Sequence, residues 1–151
     1  MKAVLQRVSY AKVIADGEFC SEIKEGLYIL LGVEAEDTRQ DAELLASKIV
    51  KLRIFSDSNG KMNLSVSDIG GEILVVSNFT LNANYKHGNR PDYFGGAKPE
   101  LANELYSYFI LQIREKLGRC AEGKFGADMK SELLLDGPVT IVMYSKDLIK
   151  G

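Results

Sequence analysis

Two short segments carry groups able to do chemistry. The first, Ser77-Asn78-Phe79-Thr80-Leu81, sets two hydroxyls, a primary amide and an aromatic ring at the end of an apolar run. A hydroxyl can attack an acyl centre, an amide can hold a carbonyl or an ammonium group, and a ring can stack on a base. A Ser or Thr nucleophile needs a base within hydrogen-bond reach, and the single histidine, His87, lies in the following loop. The plainer reading starts a turn at Ser77 and Asn78 and buries Phe79 and Leu81 in the core. The second segment is Gly137-Pro138, which divides the apolar runs 132–135 and 139–144. Proline cannot donate to a sheet ladder, so this step implies a turn, a bulge or an edge. An X-Pro bond is also the common place for a cis peptide, which would present the flanking carbonyls as paired acceptors. A trans Gly-Pro hairpin is the simpler alternative.

A third segment, the loop 82–98, interleaves Lys86, His87 and Arg90 with Tyr85, Tyr93 and Phe94. That mixture suits contact with phosphates and bases, although an ordinary solvated loop has the same composition. Bulk charge sets a limit on the partner. Nineteen Lys and Arg against 21 Asp and Glu give a net charge of -2, which argues against gripping DNA or long RNA but allows contact with a short RNA end. Cys20 and Cys120 have no metal-ligand spacing, so neither a zinc site nor any other cofactor is expected, and both thiols should be reduced and structural. No apolar run approaches the roughly 20 residues of a membrane span, and the first residues offer no signal-peptide core. A cytoplasmic protein without a membrane partner is the expectation.

These groups need a scaffold. The 151 residues, 46% hydrophobic and 26% charged, fit one globular domain spanning 1–151. Residues 2–14 and 18–24, joined by Asp16-Gly17, predict a first hairpin. The runs 27–33 and 73–76 are apolar without alternation, as expected of strands buried on both faces. Between them a helix is expected to start near Asp37, with Asp37 and Gln40 as a capping box and Ala42, Leu45, Ile49 and Leu52 on one face. A second helix should open at Pro99, bury Leu101, Leu105, Phe109 and Ile113, and stop at Gly118. The expected fold is α/β of α+β character, with a several-stranded, barrel-like sheet core and the two helices on one side.

Taken together, these segments resemble the D-aminoacyl-tRNA deacylase family over nearly the whole chain. The resemblance rests on Gln6-Arg7-Val8, Leu31-Gly32-Val33, Arg53 to Phe55 with Gly60 to Asn63, and Gly71 to Leu81. It continues through Arg90-Pro91, Gly126 to Met129 and Asp136 to Thr140. Two departures stand out. Asn78 occupies a position where the family usually has Gln, and Asp136 one where Asn is common.

The resemblance implies hydrolysis of the ester that joins a D-amino acid to the 3′-terminal adenosine of tRNA, a chiral proofreading step in translation. It implies a homodimer in which a cis Gly137-Pro138 step enters the partner's active site and excludes L-residues, leaving glycyl-tRNA, including glycine mischarged on tRNA(Ala), as a leak. It also implies catalytic roles for Ser77, Asn78, Phe79 and Thr80, and contacts to adenosine or tRNA from Phe79, Phe125, Met129, Lys86 and Arg90. Thr80 could be a nucleophile or a positioning group beside a 2′-OH of the substrate that assists hydrolysis, with N–H groups near Phe79 and Thr80 facing the oxyanion. A non-catalytic tRNA-binding module, a Thr80 esterase acting on another small ester, and a structural homodimer are the competing readings.

Overall fold

The computed structural model describes residues 1–149. Its spine is β1 (Lys2–Ala15), which runs antiparallel along the whole of β8 (Met129–Tyr144) on one edge. On its other edge the first half of β1 pairs with β3 (Gly26–Gly32) and the second half with β2 (Glu18–Ile23). β3 then pairs in parallel with β6 (Glu72–Ser77), and β6 with the short β7 (Ala121–Glu122). A separate ribbon, β4 (Phe55–Ser56) with β5 (Met62–Leu64), fills the middle stretch. The sheet is nearly closed and barrel-like.

Burial along β1 explains that shape. Ala3 and Leu5 face one core, whereas Val8, Ala11 and Val13 face another, with register shifts between Gln6 and Tyr10 marking the change. Such bulges kink a strand and increase its twist, letting one strand serve both sides of a curved sheet. β3 and β6 serve both cores by simple alternation: Leu27, Ile29, Ile73 and Val75 point to one, Tyr28, Leu74 and Val76 to the other. That is why these runs read as continuously apolar.

The first core is covered by α1 (Arg39–Lys51) and α2 (Pro99–Leu117), packed against each other. α2 follows expectation except that Leu101 is only half-buried: Pro99 is the first helical residue, Leu105, Phe109 and Ile113 are buried, and Gly118 ends the helix at φ 92°, where a side chain would be disfavoured. α1 buries Ala42, Leu45 and Ile49 as expected, but its cap lies one residue later than the sequence suggests. Thr38 is the N-cap and Asp41 completes the capping box. Asp37 is otherwise engaged: it accepts from the Met1 ammonium at 2.6 Å and from the Glu34 N–H at 2.6 Å.

At Gly137-Pro138 the structure has a bulge, one of the forms that the proline implies, and not the simpler trans hairpin. β8 continues through this step along the same neighbour. Val8 faces Leu135 and Gln6 faces Thr140, so the intervening residues of β8 bulge out of the ladder. The Gly137-Pro138 peptide is cis.

Candidate active site

The parallel ladder of β3 and β6 ends at Leu31 and Ser77, and the Asn78 N–H still donates to the Leu31 carbonyl at 2.8 Å. The chain then folds into a short 3-10 turn, Phe79–Asn82. Asn78 caps it: its side-chain oxygen accepts from the Thr80 N–H at 3.2 Å and from the Thr80 hydroxyl. A side chain of this length is suited to reach the N–H two residues on. Asn82 ties the turn down, donating from its buried amide to the Val33 carbonyl at 2.9 Å. Gly32 lets the turn approach, since a Cβ there would lie 3.0 Å from the Leu81 Cβ.

Beside this turn opens a cavity of about 390 Å³, lined by Ser77, Asn78, Phe79, Tyr93, Phe125 and Gly126 and floored by Leu31 and Val33. Its volume is in the range of small-ligand sites. Phe79 is exposed and meets Tyr93 edge to face, with ring centroids 5.0 Å apart. Phe125 is half-buried and tilted against Tyr106, whose hydroxyl donates to the Val75 carbonyl at 3.0 Å. The walls are therefore largely aromatic and aliphatic, and one corner is polar. Such a site can take a flat base and hold an ester at its rim.

At that corner the hydrogen bonds limit what the hydroxyl can do. The Thr80 hydroxyl donates to an amide oxygen, which cannot take up its proton. His87 is exposed and makes no side-chain hydrogen bond among the described residues. The Thr80 N–H is engaged by Asn78, whereas the Phe79 N–H has no protein partner among the described residues. Among the described residues the arrangement offers one free main-chain donor and a held hydroxyl, and no base beside that hydroxyl.

The other sequence-predicted residues are dispersed. Lys86 and Arg90 are exposed on the loop beyond Asn84. Met129 begins β8 outside the cavity lining and packs toward the second core, close to Gly123. Gly137 and Pro138 do not line the cavity of their own chain. Cys120 is buried, and burial pushes its thiol up to about 12.

One residue outside the sequence-predicted site gains importance. Arg7, with its side chain only 11% exposed, donates from Nε to the Asp136 carbonyl at 3.1 Å and from Nη1 to the Ile54 carbonyl at 2.8 Å. The same Nε lies 3.3 Å from the Asp136 carboxylate. The added charge of Asp136 is thus paired, and the guanidinium anchors the start of the Gly137-Pro138 bulge. A cation amid the alternating apolar residues of β1 is the clue that could have found it.

Comparison with known proteins decides the family. The model described as D-Tyr-tRNA(Tyr) deacylase matches residues 4–144. The chain belongs to this family. Among curated deacylases, it is 53% identical over 148 residues to the D-aminoacyl-tRNA deacylase of Flavobacterium psychrophilum, covering 97% of this chain and 99% of that one. The D-aminoacyl-tRNA deacylase of Parabacteroides distasonis is 51% identical over the same shares. The solved structure of a c-Myc DNA unwinding element binding protein superposes with TM-score 0.89 at 42% identity, over 95% of this chain and 97% of that one. That of a probable eukaryotic D-amino acid tRNA deacylase gives TM-score 0.84 at 14% identity over 94% and 97%, a likeness of fold.

Proposed function

We propose that this deacylase hydrolyses the ester between a D-amino acid and the 3′-terminal adenosine of tRNA, releasing the amino acid and intact tRNA. The observation that carries the reading is membership of the family over residues 4–144, with Ser77, Asn78 and Phe79 lining a cavity suited to a nucleobase and Thr80 bonded to Asn78 just outside that lining. Adenine enters between Phe79 and Phe125, and the ester reaches the turn. Water attacks the carbonyl carbon with help from the vicinal 2′-OH, the developing oxyanion meets the Phe79 N–H, and the 3′-oxygen leaves with a proton. Thr80 positions the turn through Asn78. Lys86 and Arg90 face the tRNA, and Met129 supports the adenosine side through the residues it packs against.

The working unit is a homodimer in the cytoplasm. β8 leaves one edge without a partner among the described residues, and Leu134, Leu135 and Val142 are exposed along it, a surface that a second copy would cover. Gly137-Pro138 of one chain then faces the α-amino group and Cα in the other chain's site. Main-chain oxygens accept from an ammonium group and clash with an L side chain, while glycine slips through.

The test is hydrolysis of matched D-tyrosyl-, L-tyrosyl- and glycyl-tRNA, repeated with tRNA ending in 2′-deoxyadenosine. The expected outcome is rapid loss of the D-ester and the glycyl ester, a spared L-ester, and little activity on the deoxy end. A folded dimer that spares the D-ester would refute the reading. The name of the relative at 42% identity raises DNA as a rival ligand, and excess duplex DNA is expected to leave the rate unchanged.

A further inference from the structure

Beyond the cavity mouth, Tyr85 and Phe94 are the two most exposed large apolar side chains among the described residues, at 79% and 91%. They are held outward by an ordered backbone. Asn84 and Asp92 exchange main-chain hydrogen bonds of 2.7 and 3.0 Å, which closes the loop between them. Their side chains brace its two ends: Asn84 Oδ1 accepts from the Lys86 N–H at 3.2 Å and Asp92 Oδ1 from the Phe94 N–H at 3.3 Å. Past the loop, the Ala35 N–H donates to the Gly95 carbonyl and the Ala97 N–H to the Val33 carbonyl, pinning this segment to the extension of β3. Phe94 follows Tyr93, the cavity-wall residue that meets Phe79, so one aromatic side chain of this pair faces in and the next faces out.

The charges in the loop that carries these rings are mainly positive. Lys86, Arg90 and Lys98 are exposed and form no ion pair among the described residues, and Asp92 is the only acid in the loop. In a chain of net charge -2, such a concentration of cations around exposed rings is a local departure. Aromatic faces flanked by cations match unpaired nucleotides, whose bases stack while their phosphates meet the positive side chains. A membrane surface or an acidic protein would also use cations and rings, but Phe94 directly follows the cavity-wall residue Tyr93, which sets this surface next to the site of the terminal nucleotide.

Resting on the proposed deacylase reading, we infer that Tyr85 and Phe94 are stacking platforms for the unpaired nucleotides that precede the terminal adenosine, with Lys86 and Arg90 on their phosphates. The cavity takes the last nucleotide, and the loop takes those before it. The loop contributes affinity for the RNA end irrespective of the amino acid it carries.

The experiment compares Tyr85→Ser and Phe94→Ser with the unmodified protein on two substrates, D-tyrosyl-tRNA and 2′(3′)-O-D-tyrosyl-adenosine. On the tRNA, each variant is expected to raise KM by about 5- to 160-fold with kcat kept, the range of one lost base stack. On the adenosine ester kcat/KM stays unchanged, and Phe94→Trp retains the tRNA affinity. Lys86→Gln and Arg90→Gln each lower the slope of log KM against log salt by about 0.7. An unchanged KM for tRNA overturns the inference, as does an equal loss on both substrates, which would mean that the loop only shapes the cavity. A shift of the monomer–dimer equilibrium in the Ser variants, read by sedimentation, would assign the rings to a second copy of the chain instead. Inactivity of the unmodified protein on every D-ester would sink the deacylase reading itself.

Discussion

Replacing Thr80 by Val separates the two chemistries open to this site. Valine keeps the volume and loses the hydroxyl. Because the Thr80 hydroxyl donates to the Asn78 amide oxygen, the substitution removes one hydrogen bond from an exposed turn, while the bond from the Thr80 N–H to Asn78 survives. A hydrogen bond of that kind contributes about 0.5–1.5 kcal/mol net. The chemical step should therefore slow by only about 2- to 12-fold. If Thr80 were the nucleophile, its removal should cost on the order of a million-fold, as for an activated serine. The two expectations differ by several orders of magnitude, so a coarse measurement suffices. Single-turnover hydrolysis of D-tyrosyl-tRNA with enzyme in excess isolates the step from product release, and circular dichroism checks the fold of the variant. Thr80→Ser should be nearly as fast as the unmodified chain. A fall beyond about ten-thousand-fold in folded Thr80→Val, or an acyl group trapped on Thr80 and seen by mass spectrometry, would refute the positioning role.

The remaining predictions concern what holds the site in place. Arg7→Met leaves the Asp136 and Ile54 carbonyls without their donor, at a cost of about 1–3 kcal/mol. For a chain of this size the melting temperature should drop by roughly 2–12 °C, and preference for the D- over the L-ester should fall as the bulge loosens; an unchanged melting point and preference would exclude the anchoring role. In acid, stability should decline in a way that Asp41 partly controls. Burial raises its carboxyl, but hydrogen bonds from the Ser145 hydroxyl and the Thr38 N–H, with the Met1 ammonium nearby, outweigh that and hold it below the ordinary 3.8. A depressed folded-state value means that the contribution is present above the unfolded-state value and is lost as pH falls through the folded one. Urea unfolding below pH about 4 should show a shallower acid decline in Asp41→Asn than in the unmodified chain, and parallel curves would contradict it.

What the sequence revealed of this molecule divides along a physical line. α2 was legible because its signals are local: a proline that fits the first turn, a four-residue spacing and a glycine that stops it. β3 and β6 were legible because burial on both faces leaves no polar residue to alternate. The capping turn of the site was half legible. Asn78 and Thr80 are two residues apart and could be read as a turn start, but the pairing of amide oxygen with hydroxyl depends on a backbone geometry that composition does not encode.

Long-range partners decided the rest. Gly137-Pro138 looked like a break between strands because proline denies one ladder bond. Yet β1 pairs with β8 on both sides of the step, and those flanking pairs carry the strand past it. Arg7 and Asp136 are far apart in sequence, and nothing near either announces the other. The same holds for Asp37, drawn away from capping α1 by an ammonium group at the far end of a strand. The cavity combines both cases: Ser77 to Phe79 come from one recognisable segment, whereas Tyr93 and Phe125 arrive from segments on either side of α2. A local motif could therefore name the reacting corner of this site, but only the packed sheet and helices could supply the walls that make it a binding site.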